Sequence, residues 1–169
     1  MNEEIKILLK KLYDDNVDSL YRYAYFKLNS KDDALDIIQE AFYKLGVELN
    51  KGNDIKDLKS YIYRIVSNKI IDYYKKNKPI SLEEHLEEFG DNFSDNTDME
   101  NLIHAKLEAE KIYNILATLD DFEKDIFLLR FMEDVSPKEI AEIYGKDVNT
   151  ITVRLHRIKD KVKSKFESS

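Results

Sequence analysis

The chain has 169 residues, enough for one ordinary domain or two small ones, and no cysteine, which excludes disulfides and thiolate zinc sites. No stretch approaches the roughly 18 apolar residues of a membrane span, and the acidic start Met1-Asn2-Glu3-Glu4 lacks the basic beginning of a signal peptide. A cytoplasmic protein without membrane attachment is therefore expected. The net charge of −7 argues against a nucleic-acid partner only as an average. Residues 1–78 carry 15 Lys/Arg and 13 Asp/Glu, residues 79–104 carry 8 Asp/Glu and no Lys/Arg, and residues 105–169 carry 12 and 13. The acidic balance sits in the middle segment, and local charge rather than pI governs what each surface attracts.

With four Gly and two Pro, the chain is expected to be all-α, in two small helical domains. The first domain, residues 1–78, reads as three helices. Helix one covers about 3–28, with Asp14–Asn16 as a candidate break. Helix two starts at Ser30, with Asp33 in the capping-box position, and runs to about Asn50. An acidic edge of Asp33, Asp36 and Glu40 lies beside an apolar stripe of Ala34, Ile37, Ile38, Ala41, Phe42 and Leu45. That edge is either a solvated face or a seat for a basic protein.

Helix three runs from about Asp57 to Lys76. Residues 59–78 hold six Lys/Arg and one Asp. Ile62, Tyr63, Val66, Ile70 and Tyr73 gather as a buried stripe, and Ser60, Tyr61, Arg64, Asn68 and Lys75 gather as a second, polar face. Cations, amides and a ring on one face suit a single strand, whose bases pack on rings while phosphates meet cations. Tyrosines at helical spacing also serve as plain core.

Residues 79–100 read as an acidic, flexible linker, begun by the helix-stopping Lys78-Pro79. The second domain, 101–169, reads as four helices at about 101–118, 120–132, 137–144 and 148–166. Ser136-Pro137-Lys138-Glu139 is a helix start with Ser as N-cap and Pro at the first position. Gly145 suits the left-handed position that ends that helix, and Asp147 opens the next.

On the last helix Ile151, Leu155, Ile158 and Val162 share one face. Asn149, Thr150, Val153, Arg154, Arg157, Lys161 and Lys165 share the opposite one. Residues 146–165 hold seven Lys/Arg and two Asp. A short helix, a glycine turn and a basic helix make a helix-turn-helix, whose second helix lies in a major groove. Arg154 and Asn149 could pair with base edges, while Arg157 and Lys161 suit phosphates. Val153 is either an ordinary exposed valine or a contact for a thymine methyl.

Together these segments resemble a bacterial RNA polymerase sigma factor of the extracytoplasmic-function class. Asp32-Asp33-Ala34-Leu35-Asp36-Ile37-Ile38-Gln39-Glu40-Ala41-Phe42 resembles the family's core-polymerase-binding segment. Residues 61–72 resemble its promoter-melting helix, and residues 119–130, 136–145 and 150–157 its C-terminal domain. The resemblance implies that Asp33, Asp36, Ile37, Gln39 and Glu40 grip the coiled coil of the polymerase largest subunit, with the flap as a further contact. It implies that Ser60, Tyr61, Arg64, Asn68, Lys69, Lys75 and Lys76 engage the minus-ten element as melted single strand. A loop from about Gly46 to Asp57 would hold a flipped base. Asn149, Thr150, Thr152, Val153, Arg154, Arg157 and Lys161 would read the minus-thirty-five element as duplex. The acidic linker would mimic nucleic acid in the channel where RNA exits, or act only as a tether.

The chain departs from the family where Tyr61 or its neighbour replaces a usual tryptophan, and where Thr152-Val153 replace a usual Lys-Ser. Neither terminus carries a long extension to serve as a built-in regulator, which leaves room for a separate anti-sigma protein. No nucleophile–base set, phosphate loop or metal cluster appears, and His85, His104 and His156 are scattered, so neither catalysis nor a cofactor is expected. The competing reading is a free-standing helix-turn-helix regulator whose first domain binds another protein. A third is a sigma relative that acts through protein contacts alone.

Overall fold

The computed structural model describes residues 2–76 and 107–167, apart from 109 and 112. Every regular element among them is helical. The acidic linker at 79–100 and the expected start of the fourth helix at 101–106 lie outside the described residues.

The N-terminal unit is three helices: α1 (Glu3–Leu28), α2 (Lys31–Asn50) and α3 (Leu58–Lys76). The expected break in α1 does not occur. The amide of the buried Asn16 donates to the Leu12 carbonyl at 2.9 Å, so this polar side chain is satisfied within its own helix. The helix ends where Asn29 turns left-handed at φ 53° and its N–H returns to the Tyr25 carbonyl. Ser30 then caps α2 through the Asp33 amide. Ala34 and Ala41, both fully buried, let α2 approach closely, and Leu20, Leu45, Ile62 and Val66 fill the centre. Each large side chain so buried contributes about 1.5–3 kcal/mol. Gly46 is buried within α2, so the loop before α3 is shorter than expected and spans only 51–57.

The C-terminal unit comprises helical residues between 107 and 116 (α4), α5 (Asp121–Phe127), α6 (Pro137–Tyr144) and α7 (Val148–Glu167). The expected helix at 120–132 is α-helical only to Phe127. It widens into a π turn at Leu128–Met132, which closes at Asp134 with φ 51°. The wider turn points both Leu128 and Leu129 inward. Ser136 caps α6 through the Glu139 amide at 3.1 Å, with Pro137 in its first turn. Gly145 ends it at φ 62°, and α7 crosses behind it. Ile151 and Ile158 of α7 are fully buried and Leu155 nearly so, which is the stripe read from periodicity.

The two units are docked, with α6 lying on α3 and the N-terminal ends of both helices together.

Candidate nucleic-acid and polymerase interfaces

The outer face of α7 is formed because its inner face is anchored. Asn149, Thr150, Val153, Arg157 and Lys161 are exposed, while Thr152 and Arg154 are half-buried. The Thr152 hydroxyl donates back to the Val148 carbonyl at 2.9 Å, which engages the one hydroxyl proton it could offer a base. Arg154 and Lys161 differ from expectation. Both are tied to Glu123, whose side chain is only 5% exposed: Arg154 Nη1 at 3.3 Å and Lys161 Nζ at 2.9 Å. Arg154 also stands over the Phe122 ring and 3.6 Å from Asp120. Both cations keep substantial exposure, so each reaches DNA only by exchanging one anion for another. Arg157 needs no such exchange.

The polar face of α3 is not a free surface. Ser60 is buried; its hydroxyl donates to Asp57 Oδ2 at 2.9 Å, and Glu142 Oε2 of α6 lies 3.4 Å away. Arg64 donates through Nε to the Ile143 carbonyl at 2.8 Å and through Nη2 to the Glu142 carbonyl at 2.7 Å. These are terminal carbonyls of α6, which lack partners within their helix and carry its negative pole. Gly145 lies against Arg64 Nη2, and its left-handed φ of 62° is what turns the chain after these carbonyls. Lys59 pairs with Glu139 at 2.8 Å. Tyr61 is half-buried, whereas Asn68, Lys75 and Lys76 remain exposed. Lys69 pairs with Glu40 of α2 at 2.7 Å, joining two residues expected to serve different partners.

On α2, Asp36, Gln39 and Glu40 are exposed as expected. Ile37 is not available to a partner: it is 8% exposed and belongs to the core beneath that face. Its angular position on the apolar stripe dictates this. Asp33 is half-buried and accepts a hydrogen bond from the Tyr73 hydroxyl at 3.0 Å. Two exposed apolar side chains were missed, Leu35 and Tyr43, at 45% and 77% exposure. They project beside Asp32, Asp36 and Gln39, and a helical wheel drawn for exposed apolar residues would have found them.

Two family models match the chain: Sigma-70 region 2 over residues 12–80 and Sigma-70 region 4 over residues 109–162. RNA polymerase sigma factor SigV of Bacillus subtilis strain 168 is 32% identical over 155 residues, spanning 90% of this chain and 87% of that one. The chain belongs to the sigma-70 family. Its relatives place it in the extracytoplasmic-function class; one is the ECF RNA polymerase sigma factor SigW of the same organism, 26% identical across 83% of this chain and 79% of that one. The fold is also that of CnrH, solved in complex with the cytosolic domain of CnrY, with a TM-score of 0.69 and 18% identity over 97% of this chain and 90% of that one. It likewise matches sigma factor RpoE from Bartonella quintana, solved with the anti-sigma factor NepR. There the TM-score is 0.62 and the identity 15%, over 94% and 96% of the two chains.

In this sigma factor the docked helices bring two carboxyl groups together. Burial acts to raise the Asp57 carboxyl, but hydrogen bonds from Glu142 and from Ser60 outweigh it and hold it below its usual range. Glu142 is pushed up, first by its hydrogen bond to Asp57 and then by desolvation, with Lys138 of its own helix acting the other way. A raised acid is disfavoured when ionised. The pair therefore repels above the Glu142 titration, and the repulsion disappears as pH falls through it and Glu142 donates to Asp57. Glu142→Gln imitates the protonated acid. It is expected to raise the thermal midpoint of the full chain at pH above the Glu142 titration, with the gain shrinking as pH falls through it, as read by scanning fluorimetry over a pH series. A gain that does not change with pH would contradict the pairing.

Among the described residues no helix is long and apolar enough to cross a membrane.

Proposed function

We propose that this sigma factor, with no catalytic activity of its own, binds core RNA polymerase in the cytoplasm and positions two DNA-reading surfaces on promoters. The exposed face of α2, with Asp36, Gln39 and Glu40, seats on the coiled coil of the largest subunit, and the C-terminal unit meets the flap. Asn149, Thr150, Val153 and Arg157 of α7 read the minus-thirty-five duplex, joined by Arg154 and Lys161 once these leave Glu123. Tyr61, Arg64, Asn68, Lys69, Lys75 and Lys76 of α3 serve the melted minus-ten strand. Residues 1–78 and 101–169 act as separate functional domains joined by the acidic linker. An anti-sigma protein is proposed as a further partner, because RpoE, which shares the fold, was solved with one.

The observation that carries this reading is the outer face of α7. Its first three turns present Asn149, Thr150, Val153 and Arg157 outward while Ile151, Leu155 and Ile158 lock the helix beneath them. Run-off transcription with purified core polymerase over a promoter library tests it, with a defined minus-thirty-five preference as the expected result. In the same assay Arg157→Ala should weaken all promoters alike, whereas Arg154→Ala should change which sequence is preferred, by about 1–3 kcal/mol at the affected base pair. Equal losses for both would overturn the division into phosphate and base contacts. DNA binding that ignores polymerase would favour a free-standing regulator instead.

A further inference from the structure

The cations of α7 are not equivalent. Arg157 is exposed, whereas Arg154 and Lys161 both end on one carboxylate, that of Glu123 on α5. Arg154 and Lys161 are two turns apart and fall within about 20° of each other around the helix. Glu123 serves both by giving one oxygen to each: Oε1 to Arg154 Nη1 at 3.3 Å and Oε2 to Lys161 Nζ at 2.9 Å. Its place on α5 is fixed, because its own N–H is the one that the Asp120 carboxylate caps at 2.8 Å.

The three side chains are layered. That of Glu123 is 5% exposed, while those of Arg154 and Lys161 are 37% and 45% exposed. DNA approaching α7 therefore meets the cations and not the carboxylate. If both cations moved to DNA, Glu123 would stay buried without either of them. A buried charge stripped of its partner is strongly destabilising. An ion pair with a solvated phosphate returns little, because it is screened. A bidentate contact with a base edge returns more, and only the right base offers it.

Binding to random DNA depends on how many cations reach phosphates. With Arg154 and Lys161 neutralised by Glu123, α7 offers a random duplex less positive charge than its sequence suggests. Asp120, 3.6 Å from Arg154, acts in the same direction, and the Phe122 ring beneath the guanidinium holds it in place. Discrimination is a difference between two affinities, so weakening the wrong complexes raises it as surely as strengthening the right one.

We propose that Glu123 is a specificity-determining residue of the minus-thirty-five reader: it withholds Arg154 and Lys161 from random duplex and yields them only where base contacts offset the loss of the pairs. The promoter half of this inference rests on the sigma-factor reading given above; the behaviour on random duplex does not.

Salt titration of the full-length protein on a mixed-sequence duplex counts the cations engaged, since log affinity falls with log salt by about 0.9 for each phosphate contact. Glu123→Gln keeps the shape of the side chain. It should tighten this binding about tenfold at low salt and steepen the slope by about one to two contacts. In the unaltered protein Arg157→Gln should lower the slope by about one contact and Lys161→Gln by well under half as much; in the Glu123→Gln background the two losses should be equal. A carboxylate acting only through the overall field, or only as support for the fold, would leave the two backgrounds alike. Should Glu123→Gln lose its helical circular dichroism, Lys161→Gln against Arg157→Gln in the unaltered protein decides the question alone. Bound to core polymerase, Glu123→Gln should lose about tenfold in preference for a promoter selected from the run-off library over the same promoter with its minus-thirty-five element scrambled. Unchanged affinity and slope from Glu123→Gln on mixed-sequence duplex, equal losses from Lys161→Gln and Arg157→Gln in the unaltered protein, or an unchanged promoter preference would each overturn the proposal. A wild-type holoenzyme that selects no promoter would remove the sigma-factor reading instead, and the titrations on mixed-sequence duplex would still decide whether Glu123 withholds the two cations.

Discussion

Replacing Asp36 and Gln39 by lysine is expected to abolish promoter-dependent transcription by the assembled holoenzyme while leaving the fold of the free protein intact. Both side chains are exposed on α2, and no neighbouring helix depends on them. Putting two cations on a face proposed to seat on a basic partner removes attraction and adds repulsion. Charged contacts at protein interfaces typically account for about 2–5 kcal/mol when broken, a loss of about 30-fold to several thousandfold in affinity. The choice of positions follows from the structure. Asp33 lies in the same acidic edge, but its hydrogen bond with Tyr73 means that a lysine there also loosens α2 from α3. Ile37 lies beneath the face, so its replacement would test the core. Leu35→Ala and Tyr43→Ala should give smaller losses of polymerase affinity, as exposed apolar residues beside the acidic ones. Unchanged transcription from the Asp36→Lys, Gln39→Lys protein would remove α2 as the polymerase contact.

The second large effect separates two residues that lie two positions apart on α7. Ile151 is fully buried, and Val153 is 51% exposed. Ile151→Ala leaves a cavity where α7 meets the rest of its unit, at a cost of about 2–5 kcal/mol. That is a large part of the stability of a small helical unit, so thermal unfolding should move down by many degrees and minus-thirty-five recognition should fail with it. Val153→Ala should stay within about 0.5 kcal/mol of wild-type stability. If Val153 meets a thymine methyl, the same substitution should still reduce discrimination at that base pair. Similar stability losses for both would mean that the inner and outer faces of α7 are assigned wrongly.

The sequence by itself determined a great deal. Apolar spacing marked the buried side of α7, and Ser136, Pro137 and Gly145 marked the ends of α6 to within a residue, because caps and left-handed turns are local chemistry. The order of motifs identified the family, since a recognisable segment keeps its spacing wherever it packs. Periodicity also contained the answer for Ile37, which belongs to the stripe and not to the acidic edge.

Tertiary structure decided which polar residues are free. Nothing local distinguishes Ser60 or Arg64 from Asn68, yet the first two are engaged by a helix some 80 positions away and the third is exposed. Likewise, only the folded C-terminal unit brings Glu123 beneath both Arg154 and Lys161. A sequence shows how many charges a face carries. Which of them are already neutralised depends on contacts between distant segments, because a hydrogen bond or ion pair extends only a few ångströms and chain separation says nothing about that distance. The basic face of α3 was therefore legible as chemistry from the sequence, and its contact with α6 only from the fold.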